Sequence, residues 1–318
     1  MSTTILITGS LNANPADRFL PRSRLRPVQI LMADGWRHLK KFDHDGELGI
    51  SSFACCTDSK TIFYTCGRRI FTLKDGIKQA LSISGLEDVH EMEVNAGVLC
   101  IANTRKDEAI FLDTQSYKVI ERKTLPLPKS PDQAPKSHET TGRYHCNQIF
   151  FDRSGVVCCL VHHAFGKQKL EQLAQKTIKK HGDGGVVYLE SGKVRNLKLK
   201  APHNVRIMDD GYLVLDSGRG RAVFYDEYWK ELSSFGTAGW GRGCDSIGRE
   251  VWIGNSARRK RYFTVENNNV FGEKNQLQVF DKSEGAITKH FSVEGVEQIN
   301  NVYCAGGALP DWALEELL

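Results

Sequence analysis

Residues 202–226 read PHNVRIMDDGYLVLDSGRGRAVFYD. Two short apolar runs flank the turn Asp209-Asp-Gly211, a polar cluster follows them, and a third apolar run ends the stretch at Asp226. An Asp-Gly pair between two such runs is typical of a tight hairpin turn. The stretch therefore predicts successive short antiparallel strands.

The same pattern recurs along the 318-residue chain. Copies begin near residues 50, 90, 146, 203 and 243. A sixth innermost strand, Gln298–Cys304, is followed only by Pro310–Leu318, which predicts a terminal helix. Internal repetition of this kind indicates a fold built from repeated structural units.

Each copy predicts four antiparallel strands, A to D, and a single sheet of this size cannot bury both of its faces. Packing six sheets around an axis solves this, so the fold class is all-β, a six-bladed β-propeller. The N-terminal runs Thr4–Thr8, Val28–Met32 and Trp36–Phe42 supply the strands that the last blade lacks. We expect one domain, residues 1–318, with blades at approximately 46–83, 87–123, 144–200, 202–236, 240–293, and 296–306 plus 3–43.

Composition and charge exclude several classes of protein. Hydrophobic residues make up 40% and charged residues 25%, as in a soluble globular protein. The longest apolar run, 156–161, is far shorter than the roughly 18 residues that cross a bilayer, and the N-terminus does not resemble a signal peptide. We therefore expect a cytoplasmic protein without a membrane partner, whose nine cysteines are reduced thiols. The net charge of +5 is too mild to indicate nucleic acid.

On the unit at 202–226, the chain resembles an NHL-type blade. Six such blades resemble the gluconolactonase, senescence-marker and strictosidine-synthase-like superfamily, the amidating lyases that act on peptidyl-hydroxyglycine, and some uncharacterised bacterial propeller families. The match covers the blade pattern over most of the chain and includes no family-specific catalytic motif. The resemblance implies a divalent ion at the axis of the propeller.

The face that carries the starts of the A strands also carries the long insertions, at 9–27, 125–144, 165–184 and 256–274. Apolar residues in 167–180 recur at helical spacing, so the insertion 165–184 is predicted to form a lid helix. Basic residues concentrate in these loops and in the approach to the fifth unit, and they favour a small anionic ligand through electrostatic focusing. The predicted ligand-binding arginines are Arg22, Arg24, Arg242, Arg259 and Arg261.

Unusual polar residues collect on the same face. At the starts of A strands, His90, Asn147 and Asn204 align at equivalent depth, with Asp245 and Asn301 as further equivalents. Convergent imidazoles, amides and carboxylates predict a divalent-metal site, whose ligands we assign to His90, Glu91, Asn147, Asn204, Asp245 and Asn301. The ends of the B strands add three ligand-binding candidates, Asn103, Asp216 and Asn255.

The identity of the metal stays open. Gluconolactonase-like propellers hold their ion with Glu, Asn and Asp side chains, which would correspond to Glu91, Asn147, Asn204 and Asp245. Amidating lyases hold zinc with histidines, which would correspond to His90, His145 and His203. Calcium or zinc is therefore expected before copper or iron.

Three histidines are predicted to act in catalysis. His145 and His203 are the candidate general bases where they are not ligands. Adjacent strand residues point to opposite faces, so at most one of His162 and His163 faces the site, and we assign His163.

These residues predict a metal-dependent hydrolase or lyase acting on a small anionic molecule. One alternative is a copper or iron oxidoreductase that uses His90, His145, His163 and His203. The other is a non-enzymatic propeller that binds a peptide, glycan or nucleotide, since a fold does not choose among functions. No G-x-S-x-G elbow and no P-loop occurs, and a homodimer remains possible.

Overall fold

The computed structural model describes residues 3–126, 144–164, 183–257 and 275–318. Within them the chain forms six four-stranded antiparallel sheets, which confirms the six-bladed propeller. Each sheet is one blade, and we number the blades by the order of their innermost strands.

The strands of the first three blades follow one another along the chain. Blade 1 consists of β4 (Ser52–Cys56), β5 (Thr61–Cys66), β6 (Arg69–Lys74) and β7 (Ile77–Ala80). Blade 2 consists of β8 (Val89–Asn95), β9 (Val98–Asn103), β10 (Glu108–Asp113) and β11 (Val119–Thr124). Blade 3 consists of β12 (Cys146–Phe151), β13 (Val157–Val161), β14 (Gly184–Tyr188) and β15 (Val194–Leu199).

The other three blades include the closure of the ring. Blade 4 consists of β16 (His203–Met208), β17 (Gly211–Asp216), β18 (Arg221–Tyr225) and β19 (Glu231–Gly236). Blade 5 consists of β20 (Trp240–Ile247), β21 (Glu250–Ser256), β22 (Gln276–Asp281) and β23 (Ala286–Ser292). Blade 6 consists of β24 (Gln298–Cys304), β1 (Ile5–Ser10), β2 (Val28–Met32) and β3 (Gly35–His38).

Blade 6 joins the two ends of the chain. Strand β1 pairs with β24 in the register Ile5↔Cys304 to Thr8↔Asn301. The prediction that N-terminal strands complete the last blade is therefore confirmed. The predicted third segment is shorter as a strand, because the backbone turns into a 3₁₀ helix at Lys40–Phe42 that buries the Phe42 ring.

The core lies between neighbouring blades. In the described part of the chain, buried apolar side chains form six clusters, and each joins two adjacent blades. The cluster between blades 6 and 1 includes Ile30 and Phe53, and the C-terminal helix α1 (Asp311–Leu317) adds Ala313 and Leu317 to it. The predicted terminal helix is thus confirmed and packs against the closing blade.

The insertions differ in how far the structure describes them. The predicted lid helix, the basic run 258–262 and most of 125–144 lie outside the described residues. Residues 11–27 are described and contain two short 3₁₀ helices, Pro15–Asp17 and Arg22–Arg24. None of the helices in the described ranges is long and apolar enough for a bilayer crossing.

Candidate functional site

Five of the six innermost strands carry a β-bulge close to the same end. The register shifts by one residue in β8, β12, β16, β20 and β24. A bulge leaves one residue unpaired and re-aims its side chain. The residues at these positions are Glu91, Asn147, Asn204, Arg242 and Asn300.

The bulges change the alignment that the sequence predicts for blades 5 and 6. The residue equivalent to Asn147 and Asn204 is Arg242 rather than Asp245 in blade 5. In blade 6 it is Asn300 rather than Asn301. In blade 5 the difference has a physical reason, since β20 starts at Trp240, ahead of the copy that the sequence predicts to begin near residue 243.

The bulged ends surround a cavity of about 440 Å³. One half of its wall comes from blades 2, 3 and 4 and contains His90, Glu91, His145, Asn147, His162 and His203, with Asp88 beside them. The other half comes mainly from blades 5, 6 and 1 and contains Ser10, Leu11, Leu48, Trp240, Arg242, Gln298, Asn300 and Asn301. The predicted polar mouth thus has an imidazole side and a guanidinium and amide side.

Four imidazoles form a continuous series along the first half. The ring centroids of His90 and His145 are 5.4 Å apart, and those of His145 and His162 are 4.2 Å apart. His162 lies 5.4 Å from His203, and His203 lies 6.3 Å from His90, which closes the series. Rings bound to one ion through nitrogens at about 2.0–2.1 Å have centroids roughly 4.5–5.5 Å apart. The four imidazoles are therefore spaced nearly as in a multi-histidine metal site, and side-chain rotations could remove the remaining differences in distance.

Two of the rings are oriented by contacts that one of their nitrogens makes to other groups of the protein. His203 Nδ1 lies 3.0 Å from the carbonyl of Ala201 and 3.0 Å from Ser217 Oγ. A carbonyl only accepts, so Nδ1 carries the hydrogen and Nε2 keeps its lone pair. His90 Nε2 lies 3.6 Å from Asp88 Oδ1, so Nδ1 is the His90 nitrogen to which an ion could bind. Metal-binding histidines are commonly held in this way through their second nitrogen.

Burial favours the neutral form of two of the rings, His162 and His203. Burial lowers the pKa of His162 well below its ordinary value, and the neighbouring rings of His145 and His203 lower it further. Burial also lowers the pKa of His203, with the charge of Arg242 as the next cause. A neutral imidazole has the lone pair that a metal ion or a transferred proton requires.

The carboxylate of Asp88 stays ionised beside these rings. Burial on its own would raise the pKa of Asp88, but the hydrogen bond and charge of His90, together with His145 and Arg105, lower it below its usual range. Asp88 was not predicted as a site residue. Its position directly before β8 is the one sequence signal, because it places a carboxylate two residues from His90.

The oxygen ligands predicted for calcium are largely used within the protein. Asp245 Oδ2 accepts from the amides of Cys304 at 2.7 Å and Ala308 at 3.1 Å. Asn204 Oδ1 accepts from the amide of Cys244 at 3.2 Å, and its Nδ2 donates to Glu91 Oε1. Neither Asp245 nor Asn204 lines the cavity.

Two amide oxygens are different. Among the described residues, Asn147 Oδ1 and Asn301 Oδ1 are buried and have no hydrogen-bond partner, and both residues line the cavity. Buried polar atoms are nearly always satisfied by protein, water or ligand. These two acceptors therefore indicate that polar groups occupy this cavity.

The fit to a metal ion is strongest for nitrogen ligands. In the described ranges, no three His, Cys, Asp or Glu side chains are placed to hold an ion as they stand. His162 shows what has to change, because its Nε2 accepts from Asn147 Nδ2 at 2.6 Å, and an ion would replace that contact. Imidazole nitrogens suit zinc, copper and iron, whereas calcium takes oxygen ligands.

A buried ion pair lies beside the histidines. Arg206 Nη1 of blade 4 is 3.6 Å from Glu91 Oε1 of blade 2, and Arg206 Nε donates to the carbonyl of Cys244 at 2.7 Å. Burial raises the pKa of Glu91 to about 8, although Arg206 opposes this, and Glu93 adds to it. Glu91 thus holds a proton near neutral pH at the edge of the cavity.

The B-strand candidates lie away from the cavity. Asn103 Oδ1 accepts from the amide of Glu87 at 2.7 Å, and Asp216 Oδ1 accepts from the amide of Lys200 at 2.7 Å. Asn255 Nδ2 donates to Gln278 Oε1 at 3.1 Å. All three side chains are fully buried and tie strands to neighbouring loops and strands, so the structure places them in the scaffold rather than at the mouth.

The arginines that were predicted to bind the ligand do not lie together in the structure. Arg242 lines the cavity. Arg22 Nη2 donates to the carbonyl of Asp43 at 2.7 Å, and Arg24 lines a second cavity of about 780 Å³ between the 11–27 segment and blade 5. Arg259 and Arg261 lie outside the described residues.

Only one of the two adjacent histidines of blade 3 lines the cavity, as expected, but it is not the one that we predicted. His162 lines the cavity, while His163 Nδ1 pairs with Asp183 Oδ1 at 2.9 Å. The alternation of strand residues limits the choice to one of the two and contains no signal for which one. The assignment of His163 to the site is corrected to His162.

Comparison with known proteins gives a fold and no family. No protein-family profile matches the chain, and no curated protein sequence does. Among solved structures, a protein of unknown function from Bacteroides caccae is similar over 96% of this chain and 99% of its own, with a TM-score of 0.58 and 12% identity. A chain of a nidogen/laminin complex is similar over 96% and 98%, with a TM-score of 0.55 and 10% identity.

A third similar structure is a calcium-binding protein, regucalcin, from Agrobacterium tumefaciens strain C58. It covers 79% of this chain and 76% of its own, with a TM-score of 0.49 and 14% identity. At such identities the likeness establishes the fold alone. The chain is a six-bladed propeller of the general type that residues 202–226 indicate, and its function has to be argued from its own cavity.

Proposed function

We propose that this propeller is a metal-dependent enzyme of the hydrolase or lyase class, with the ion bound by the axial histidines. The observation that carries the proposal is that His90, His145, His162 and His203, from three blades, line one side of one open cavity. An ion bound there would supply a Lewis acid or an activated water.

The histidines of the cavity would have two roles, as metal ligands and as a general base. His203 Nε2 and His90 Nδ1 are the nitrogens that outside contacts leave for a ligand. A catalytic zinc site takes three protein ligands and keeps one open position. Four imidazoles exceed that number, so one remains as a general base within the same cavity. His145 and His162, whose ring centroids lie 4.2 Å apart, are the candidates for this role.

The nitrogen ligands favour zinc over calcium, a choice that the sequence leaves open. Zinc suits hydrolysis or elimination, since it has no redox chemistry of its own. The same donor set fits copper or iron, and that fit supports the oxidoreductase as a second candidate function. The identity of the bound metal separates the two candidates.

Elemental analysis of dialysed protein tests the proposal, before and after incubation with zinc, copper(II) or iron(II). We expect close to one metal ion per chain in the wild type and little in His90→Ala/His203→Ala. The matched control is His163→Ala/His290→Ala, which removes two histidines outside the cavity and keeps the metal. Zinc would support the hydrolase or lyase, and copper or iron would support the oxidoreductase.

Two results would contradict the proposal. One is a wild type that takes up no ion in any of the incubations, which would favour the non-enzymatic binding function. The other is equal metal content in the two double variants. Circular dichroism of each variant shows whether the propeller is still folded, so loss of metal is not confused with loss of structure.

A further inference from the structure

The charges of the cavity are separated across the ring. Its two carboxylates, Asp88 and Glu91, belong to the blade 2 side, and its arginine, Arg242, belongs to blade 5. In a ring of six blades, blades 2 and 5 lie opposite each other. The histidines occupy blades 2, 3 and 4, so Arg242 stands across the cavity from most of them.

The carboxylates have cationic neighbours of their own. Glu91 Oε1 lies 3.6 Å from Arg206 Nη1. Asp88 lies 3.6 Å from His90 and 3.7 Å from Arg105. Each carboxylate of the cavity thus lies within 4 Å of an arginine other than Arg242.

Neutral amides position the guanidinium of Arg242. Its Nη1 donates to Gln298 Oε1 and, at 3.1 Å, to Asn300 Oδ1. Asn300 Nδ2 in turn donates to Ser10 Oγ and to the carbonyl of Ile50, each at 2.9 Å. These amides are neutral groups, and they hold the guanidinium within the wall of the cavity.

Apolar side chains form part of the wall. The Trp240 ring lies 6.2 Å from the His203 ring, and Leu11 and Leu48 also line the cavity. A cavity of about 440 Å³ falls in the range of small-molecule sites, which are mostly apolar with a few placed polar groups. The wall therefore accommodates an apolar body attached to the group that Arg242 recognises.

We propose that the cavity binds a small molecule with a carboxylate or phosphate joined to an apolar body, and that Arg242 binds the anionic group. A positioned guanidinium binds either anion through paired hydrogen bonds. The inference deepens the proposed function by naming the substrate class, and it rests on that function only for the reaction, since binding itself needs no metal. The anionic end would lie on the Arg242 side and the reacting part on the histidine side.

Calorimetric titration of metal-free, chelator-treated protein tests the inference. The probes are phenylacetate, phenyl phosphate and phenylacetamide, of which the last is a neutral analogue of the first. We expect at least one anion to bind the wild type about tenfold or more tightly than phenylacetamide. Arg242→Gln should reduce this preference to within twofold, and Arg242→Lys should keep part of it, since lysine retains the charge without the fork geometry.

The control variant is Arg37→Gln, which removes an exposed arginine paired with Asp34 and should leave the preference unchanged. A wild type that binds neither anion more tightly than phenylacetamide would overturn the inference, and so would an Arg242→Gln variant that keeps the full preference. Whether phenylacetate or phenyl phosphate binds more tightly assigns the anion. Metal content is measured separately, so anion preference without metal binding would contradict only the proposed function.

Discussion

The imidazoles of His145 and His162 lie 4.2 Å apart between ring centroids and are tilted by 31°. The backbone holds them there, because the amide of His162 donates to the carbonyl of His145 at 3.2 Å. Two imidazolium charges at this distance would repel each other in a buried position. The pair is therefore compatible with folding only while at least one ring is neutral, which makes protons and metal ions competitors at this site.

The first prediction concerns stability below neutral pH. As the pH falls through 6.5, an unfolded His162 takes up a proton, whereas the folded residue resists it because its pKa is lowered. The unfolded state then binds more protons, so stability falls with the pH. Between pH 7 and 5, this one group should cost the wild type up to about 2 kcal/mol more than His162→Gln. Urea unfolding at both pH values measures the difference.

The comparison between variants is needed because the raised pKa values of Glu91 and Glu93 act in the opposite direction over the same pH range. His290→Gln is the control, because this histidine is exposed on the outermost strand of blade 5 and should leave the pH dependence as it is. A His162→Gln variant whose stability changes with pH as steeply as that of the wild type would refute the prediction.

A second prediction concerns Glu91. Its unfolded carboxyl loses a proton near pH 4.5, but the folded one keeps it up to about pH 8 because it is buried. The folded state binds more protons within this window, so stability falls as the pH rises through it. Glu91→Gln removes the titration and should flatten the decline between pH 5 and 8, as measured by urea unfolding.

Glu91→Gln also changes the hydrogen bond from Asn204 and the contact with Arg206, which shifts the absolute stability. The slope against pH is therefore the decisive quantity, rather than the absolute value. Glu121→Gln, at an exposed position of β11, is expected to behave like the wild type. An unchanged slope in Glu91→Gln would show that the carboxyl is ionised in the folded protein well below pH 8.

The fold was predictable because its determinants are local and repeated. The turn at Asp209–Gly211 is visible in the sequence, and a Cβ at Gly211 would lie 2.0 Å from the carbonyl oxygen of Tyr225, so the hairpin requires glycine there. The ring closure followed from counting strands, since the last copy lacks partners and the N-terminus has unpaired ones. Because the same weak hairpin pattern recurs along the chain, the sequence was sufficient to predict the fold.

The site was predictable in its residue types but not in its register. A one-residue bulge moves a side chain to the other face of a strand without altering the apolar pattern. This is why Asn300 occupies the position expected for Asn301. In blade 5 the difference is three residues, because β20 begins already at Trp240 and places Arg242 where Asp245 was expected. The choice between His162 and His163 depends on backbone geometry beyond the end of β13, which strand alternation does not describe.

A third prediction concerns the attachment of the 11–27 segment near the mouth. The buried carboxylate of Glu297 accepts from the amide of Asn12 at 2.5 Å and from those of Phe19 and Leu20 at 2.6 Å each. Hydrogen bonds to a charged group contribute about 1.5–3 kcal/mol each. Because water can reach the part-buried amides of Phe19 and Leu20 in the variant, Glu297→Ala should lower the free energy of unfolding by less than the sum of three such bonds, about 3–5 kcal/mol. Glu297→Gln keeps one acceptor oxygen and should lose less.

Limited proteolysis provides a second measurement, because residues 11–27 should be cleaved faster in Glu297→Ala than in the wild type. The neighbouring and exposed Glu294 offers a control, and Glu294→Ala should change neither quantity appreciably. Equal stability and equal cleavage in the two alanine variants would mean that Glu297 does not anchor the segment.

The last prediction concerns the contact that sets the position of Arg242. Gly243 lies where the inner strands of blades 5 and 6 approach, and a Cβ on it would be 2.3 Å from the Cα of Asn301. Because the obstacle is backbone, a rotamer change cannot relieve it, and Gly243→Ala should cost about 3 kcal/mol of stability. Gly236→Ala is the matched control, since nothing lies within 4 Å of its added Cβ.

Gly243→Ala should also change the cavity. Forcing the inner strands of blades 5 and 6 apart displaces Arg242 from the amides of Gln298 and Asn300 that orient it. Under conditions in which Gly243→Ala remains folded, its preference for phenylacetate over phenylacetamide should fall, while Gly236→Ala keeps the wild-type value. Lower stability with an unchanged preference would show that the orientation of Arg242 does not depend on how closely blades 5 and 6 pack.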